Sequence, residues 1–269
     1  MDAPLNIRQL YAPLQPAAER YAPDIRYVEF LPEASLQPFI FCYWELKTRQ
    51  PLTEMFLYRV VADGCMDLFF GRENPDDSYV MGFSNRYTEF PLGHSFHYTG
   101  VRFLPGVLPV LCGQDAAELA NQTEPLRYIV PDLALAISRE FSAMETTISC
   151  KTVFDGIFTH FLAQKQVTFD KRFYGAMDAI LRQKGQIHVG RDLDTGLSER
   201  QLRRIFQKNV GDSAKSFSRI VRFQHFIREK NRGEKGFPGM YEAGYYDQAH
   251  FIREFRSLYG DTPGQVFDP

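Results

Sequence analysis

Arginine and glutamine set at helical spacing just behind a helix start can read the edges of DNA bases, and the sequence holds two such stretches. The first runs Gly196-Leu197-Ser198-Glu199-Arg200-Gln201-Leu202-Arg203-Arg204-Ile205-Phe206. Ser198 as N-cap, with Gln201 three residues on, spells a capping box that satisfies two otherwise orphan backbone donors. The second runs Gly244-Tyr245-Tyr246-Asp247-Gln248-Ala249-His250-Phe251-Ile252-Arg253-Glu254-Phe255, and Asp247 is its N-cap. Leu202, Ile205, Phe206 and Val210 fall on one apolar stripe, as do Phe251, Phe255, Leu258 and Tyr259. The opposite faces carry Glu199, Arg200, Arg203, Arg204 and Gln207 in the first helix, and Gln248, Ala249, Ile252, Arg253 and Arg256 in the second. First turns of this kind fit the major groove, where Arg takes guanine O6 and N7 and Gln takes adenine N6 and N7. Either face alone reads equally well as an ordinary solvated surface. The repetition carries the DNA reading.

The elements around the two faces support it. Phe217, Ile220, Val221, Gln224 and Ile227 predict one long connecting helix, roughly 25 Å over some sixteen residues at 1.5 Å each. That length holds two units about one DNA turn apart, roughly 34 Å, once their own widths are added. The net charge of −2 hides an asymmetry. Residues 171–269 hold 18 Lys and Arg against 12 Asp and Glu, a balance of +6, so the remaining 13 and 21 leave −8 in the first part. The basic part coincides with the paired helices, as phosphate contact requires.

The pattern Ser198-x-Arg200-x-Leu202-x-Arg204-x-Phe206, Gly211, Arg219, Arg222-Phe223, then Gly244-Tyr245-x-Asp247-Gln248-x-His250-Phe251-x-Arg253-x-Phe255 and Gly260-x-x-Pro263 resembles the DNA-binding domain of AraC/XylS-type transcriptional regulators. The resemblance covers roughly Lys171 to Asp268. It implies a seven-helix, all-α domain with two helix-turn-helix units, whose third and sixth helices read successive major-groove segments. The chain departs from the family in the supporting helices, where a Leu-Ala pair is replaced by Arg191-Asp192 and Gly239-Met240. Gly236, Pro238 and Gly239 weaken the second of these further.

The first part reads differently. Pro4, Pro13, Pro16 and Pro23 make residues 1–24 an extended arm. Ile25-Leu31, Phe39-Lys47, Met55-Ala62, Cys65-Gly71, Tyr79-Phe83 and His97-Leu104 are β-branched or aromatic runs between turn residues, with Asp63-Gly64 as a hairpin turn. A half-open barrel or sandwich of about six strands is expected. Apolar stripes predict helices over about 115–162, which could pack on the strands, join the halves or dimerise the protein. The segments Pro32-x-x-x-Leu36-x-x-Phe39-Ile40-x-x-Tyr43-Trp44, Ala62-Asp63-Gly64-Cys65 and Gly100-Val101-Arg102-Phe103-x-Pro105-Gly106 resemble an uncharacterised domain that precedes AraC-type modules in many bacterial regulators. Here Ala62 stands where Pro is usual. That match spans roughly Val28 to Leu126 and implies a sensory half without naming its ligand.

Tyr43, Trp44, Asp63, Arg102 and Phe103 are the candidate effector-binding residues: aromatic walls with few polar groups. Arg102 could fork onto an anionic ligand or, alternatively, pair with Asp63 or Asp67. His94 and His97 lie on opposite faces of a strand and make a poor metal pair. No Ser-His-Asp signature, phosphate-binding Gly loop or C-x-x-C pair occurs, so no catalytic residue, metal or cofactor is assigned and no enzyme activity is expected. Cys42, Cys65, Cys112 and Cys150 are expected to be free thiols. Nothing resembles a signal peptide or a membrane span, and a cytoplasmic protein is expected.

The expected architecture is α+β in two domains: residues 1–165, β-rich with trailing helices, and residues 166–269, an all-α double helix-turn-helix. The expected function is sequence-specific transcriptional regulation on double-stranded promoter DNA, modulated by the first domain. A small-molecule effector, RNA polymerase and a second copy of the chain stand open as further partners. The alternatives are a protein-interaction module with degenerate helix-turn-helix units and, behind it, a cupin-like metal enzyme.

Overall fold

The computed structural model describes residues 7–16, 24–144, 148–166, 168–188, 193, 195–231 and 239–267. Among them are eight strands: β1 Ile25–Phe30, β2 Ile40–Thr48, β3 Phe56–Val60, β4 Met66–Gly71, β5 Ser78–Met81, β6 Thr88–Gly93, β7 His97–Phe103 and β8 Thr123–Pro125. Six form an antiparallel sheet in the order β1-β2-β7-β4-β5-β8, and β3 with β6 makes a separate two-stranded ribbon.

Alternation along the strands divides this half into two layers. On one face of the sheet, Tyr43, Leu68, Phe70, Val101 and Phe103 belong to the main core. On the other, Cys42, Trp44 and Leu46 form a smaller core with Phe56 and Tyr58 of the ribbon and with Phe96. The main-core face is covered by helix α6 (Cys150–Ala163) and by α5 (Pro131–Ser142), which follow three short helices: α2 (Val107–Cys112), α3 (Ala116–Leu119) and α4 (Leu126–Ile129). Phe154 of α6 stacks on Tyr43 at 5.0 Å between ring centroids, Phe158 meets Phe103 edge-on at 5.6 Å, and Phe141 of α5 meets Phe70 at 4.8 Å.

Three expectations about this half need correction. Asp63-Gly64 is not a hairpin turn: β3 leaves to pair with β6, so the segment crosses between the two layers. The stretch β6 went unpredicted because Pro91 argues against a strand, yet in a two-stranded ribbon a missing donor is tolerated. The helical region begins at Val107 rather than 115 and is interrupted by β8. Pro109 lies in the first turn of α2, where its missing N–H costs nothing.

The helical half comprises α7 (Lys171–Arg182), α8 (Glu199–Val210), α9 (Ala214–Asn231), α10 (Gly239–Glu242), α11 (Gln248–Tyr259) and α12 (Pro263–Phe267). The first supporting helix expected around Arg191-Asp192 falls outside the described residues, as do Gly236 and Pro238. Of the second supporting helix, the described residues hold one turn, α10. The long connecting helix is α9, with Phe217, Ile220, Val221, Gln224 and Ile227 all buried.

One hydrophobic core runs without a break through both halves, from Ile7 to Val266. Phe173 of α7 would meet a Cβ on Gly106 at 2.6 Å, and Tyr174 donates its hydroxyl to the Gly106 carbonyl at 3.2 Å. Helices α2 and α3 lie against α8, where Gly211 closes the helix at φ +100° with its Cα facing the Ala116 carbonyl. A left-handed cap pressed on a carbonyl leaves room for glycine alone. The trailing helices therefore both cover the sheet and join the halves.

The N-terminal arm fills the remaining seam. It contains one helical turn, α1 (Ile7–Leu10), which its prolines did not suggest. Buried Tyr11 donates to the Asp63 carbonyl at 2.7 Å. Gln224 of α9, fully buried, accepts from the Leu14 amide at 2.8 Å and donates to the carbonyls of Leu14 at 3.2 Å and Ala62 at 2.9 Å.

Two stability predictions follow from this packing. Phe154→Ala, opening a cavity under four aromatic neighbours, should cost about 3–5 kcal/mol in denaturant unfolding, whereas Leu135→Ala on the exposed side of α5 should stay within about 0.5 kcal/mol. Gln224→Leu strands the arm's polar groups and should cost about 1–3 kcal/mol. A neutral Gln224→Leu would mean that the arm does not hold the seam.

Candidate nucleic-acid interface and regulatory cavity

The first candidate recognition helix, α8, has the cap its sequence spells. The Ser198 amide donates to Gln201 Oε1 at 2.9 Å, and the Gln201 amide donates back to Ser198 Oγ. Glu199, Arg200, Arg203, Arg204 and Lys208 are exposed, and Gln207 is half-buried. Leu202, Phe206 and Val210 are buried beneath them, with Ile205 partly so. The second, α11, starts at Asp247, whose carboxylate accepts from the His250 amide at 2.7 Å, and ends at Gly260 in the left-handed region. Gln248, Ala249, Arg253 and Arg256 are exposed, while Ile252 is half-buried.

Two further side chains join the second face. Tyr246 is 92% exposed and His250 is also exposed. His250 lies in the first turn of α11, where helical spacing would have found it, while Tyr246 lies ahead of the Asp247 cap, outside the helix. Gln201, though exposed, is committed to its cap.

Support for the second face comes from a buried polar contact. Arg222 of α9 donates to Glu254 at 2.8 Å and lies 4.3 Å over the Tyr245 ring. Reaching both Tyr245 and Glu254, Arg222 helps fix the start of α11. The far ends of both recognition helices are held by the β-rich half. The Ala62 amide donates to the Leu258 carbonyl at 3.0 Å, the Tyr87 amide to the Ser257 carbonyl at 3.1 Å, and Arg59 pairs with Asp261 beside Gly260. Asn85 donates to Asp212, and Arg219 donates to the Asn85 carbonyl at 2.8 Å, just past the end of α8. The capped N-terminal turns stay exposed.

In the β-rich half, the candidate effector residues divide between the layers. Tyr43 and Phe103 point at α6, and Tyr43 donates to Asp155 at 3.0 Å, so neither lines a cavity. Adjacent strand residues face opposite ways, so Tyr43 and Trp44, or Arg102 and Phe103, cannot share a site. Trp44 and Arg102 do line one: a cavity of about 140 Å³ between sheet and ribbon, walled also by Tyr58, Phe69, Phe90 and Tyr98 and touched by Asp67. Tyr58 and Phe90 were missed because packing of the ribbon on the sheet is a long-range contact, whereas Tyr98, on the same face of β7 as Arg102, was within reach of strand alternation. Gly100 lies beneath the Trp44 ring, which a Cβ there would meet at 2.5 Å.

Arg102, 2% exposed, takes the ion-pair alternative rather than a free fork. Its Nε lies 3.1 Å from Asp63 and 3.2 Å from Asp67, its Nη2 lies 3.0 Å from Asp67, and its Nη1 lies 3.4 Å from Glu29. Trp44 Nε1 donates to Asp67 at 3.0 Å. Burial pushes the Asp67 carboxyl above the usual carboxylate range, Arg102 pulls it back, and the charge of Asp63 adds to the rise. Asp63 itself does not reach the cavity. It turns inward, accepting from the Cys65 amide at 2.9 Å and Gln15 at 2.8 Å, and its segment is the one that touches α9, α11 and the arm.

All four cysteines are free. Among the described residues no cluster of His, Cys, Asp or Glu could hold a metal ion, and no helix is long and apolar enough to cross a membrane.

Residues 194–268 match the family described as Helix-turn-helix domain, and residues 28–125 match the Domain of unknown function DUF6597. The first match begins later than the Lys171 start suggested by sequence, and the second agrees with it closely. No curated protein matches. Solved structures of ToxT from Vibrio cholerae are similar at low identity. That of strain O395 has 10% identity, a TM-score of 0.43 and coverage of 92% of this chain and 98% of that one. The same protein bound to (E)-4-(8-methylnaphthalen-1-yl)but-3-enoic acid has 10% identity, a TM-score of 0.44 and coverage of 91% and 98%. Overlap of that degree identifies neither a ligand nor a DNA site here. Residues 194–268 are thus an AraC-type helix-turn-helix DNA-binding module, the part of a transcriptional regulator that engages DNA, joined to an N-terminal modulating domain that carries the second match.

Proposed function

We propose that α8 and α11 read successive major-groove segments of promoter DNA in a bacterial cytoplasm, and that the division of labour falls at residues 1–165 and 166–269. The bases are read through Arg200, Arg203, Arg204 and Gln207 in the first segment and Gln248, Ala249, Ile252, Arg253 and Arg256 in the second, with Glu199 at the first helix start. The observation that carries this is the exposure of both capped N-terminal turns and of the arginines on the same helices, Arg200, Arg203 and Arg204 in α8 and Arg253 and Arg256 in α11, while the opposite ends are fixed to the β-rich half. Gly236, Pro238 and Gly239 in the second supporting segment favour stronger base reading by α8 than by α11.

The modulating domain acts through the cavity between sheet and ribbon. A small molecule that moves Asp67 acts on Arg102, hence on Asp63, and the segment 61–64 is hydrogen-bonded to α9 and α11. Coupling of this kind is reciprocal: a ligand that tightens promoter binding binds tighter to the promoter complex by the same factor. RNA polymerase and a second copy of the chain remain partners of the regulator class rather than of any feature seen in this surface.

Sites selected by the full-length protein from random DNA test the first reading. Arg204→Ala should cost about 1–3 kcal/mol and relax preference at one base pair, while Lys208→Ala should weaken all sequences alike and lower the salt slope by about 1. Recovery of no common sequence, with protein partners retained instead, would favour the protein-interaction alternative. For the coupling, Arg102→Met leaves buried carboxylates unpaired and should cost about 3–5 kcal/mol of stability. In the surviving folded fraction the selected DNA should bind with altered affinity. Unchanged DNA affinity would detach the cavity from regulation.

A further inference from the structure

The cavity's wall and floor differ in a way that selects its ligand. Five aromatic rings (Trp44, Tyr58, Phe69, Phe90 and Tyr98) surround it, and the polar groups at its base are Asp67 and Arg102. Aromatic faces carry negative charge density and attract cations, the more so when water is excluded. An arginine at the base would ordinarily recruit an anion, but each of its three nitrogens already lies against a carboxylate. Glu29, Asp63 and Asp67 outnumber it, so the cluster carries a formal excess of two negative charges. An entering carboxylate or phosphate would have to displace a resident carboxylate and then share its site.

Asp67 has room for one more donor. It accepts Arg102 Nε on Oδ1, and Arg102 Nη2 and Trp44 Nε1 on Oδ2. A carboxylate offers about four acceptor positions, so Oδ1 keeps one. Size sets the other limit. About 140 Å³ is close to the roughly 150 Å³ cavity that admits benzene. That is room for one ring or one small ammonium head inside, with the remainder emerging past Pro91 at the rim.

We infer that this cavity is a receptor for a compact organic cation, an aryl or alkyl ammonium held by the aromatic walls and by Asp67. The inference rests on the reading of the cavity as the regulatory site, and names its ligand class. Burial leaves Asp67 less willing than usual to hold its charge, and a cation beside it supplies what desolvation removed.

The test uses the full-length protein and the emission of Trp44, its only tryptophan. Three probes separate the chemistries: phenyltrimethylammonium, which carries the charge without an N–H and so reads the cation's attraction alone, its neutral isostere tert-butylbenzene, and the anion benzoate. The ammonium should perturb Trp44 and bind at least tenfold more tightly than tert-butylbenzene, with benzoate weaker than both. Asp67→Asn should remove most of that preference while leaving tert-butylbenzene binding unchanged, which also shows that the variant is folded. Phe90→Leu, in the ribbon, should weaken the ammonium more than the hydrocarbon. Equal binding of ammonium and hydrocarbon, or tighter binding of benzoate, overturns the ligand class, as does failure of all three to perturb Trp44. Affinity for selected DNA, measured alongside, distinguishes the two readings. Ammonium binding with no change in DNA affinity upholds the ligand class and defeats the regulatory reading. A DNA response to benzoate or tert-butylbenzene alone does the reverse.

Discussion

A single buried guanidinium sits where the two layers of the β-rich half and the helical half converge. Removing a charge from water is costly, and the cost is offset only when hydrogen-bonded partners surround it. Arg102 meets that condition with three carboxylates drawn from β1, β4 and the β3–β4 crossing. The crossing cannot relax into a simple hairpin without losing Asp63 from the cluster. Holding it fixed places Ala62 against Leu258 and Gln224, and Gly64 against Phe217. One ion cluster thus sets both the floor of the cavity and the surface on which the DNA-reading half rests.

The helical half depends on that surface more than its own sequence suggests. Gly236, Pro238 and Gly239 are poor helix formers in its second supporting segment. Backbone hydrogen bonds from Ala62 and Tyr87 to the end of α11, with Arg222 held on Glu254 and over Tyr245, add constraints on this unit. The first unit is braced likewise, by α2 and α3 behind α8. A continuous core in place of a flexible joint makes the disposition of the reading helices a property of the whole chain.

What was legible in the sequence was what local periodicity and capping encode. Ser198 with Gln201, Asp247, the apolar stripes of α8, α9 and α11, and six of the strands stand where spacing puts them. The helical character after residue 105 was legible too, though not its start at Val107 or its interruption by β8. The rest depends on contacts distant in sequence. Whether Asp63-Gly64 closes a hairpin or crosses between layers is decided by β3 pairing with β6, and Pro91 hid β6 from view. The effector candidates named one aromatic pair too simply: alternation sends Tyr43 to the helices and Trp44 to the cavity, while Tyr58 and Phe90 arrive from a ribbon that no short window reveals. Arg102 was correctly suspected of pairing with Asp63 or Asp67, since a lone arginine on an apolar strand needs counter-charge.

The central claim is that the β-rich and helical halves form one cooperative body, so that events at either are felt at both. Denaturant unfolding of the full chain, followed by Trp44 emission for the first half and far-ultraviolet dichroism for the helices, tests it most directly when repeated with selected DNA. A ligand at one hundred times its Kd stabilises the state it binds by about 2.7 kcal/mol. With the DNA read by α8 and α11 as proposed, both signals should still shift together by that amount, with coincident midpoints. A shift of the helical signal alone, with the Trp44 transition unmoved, would contradict it.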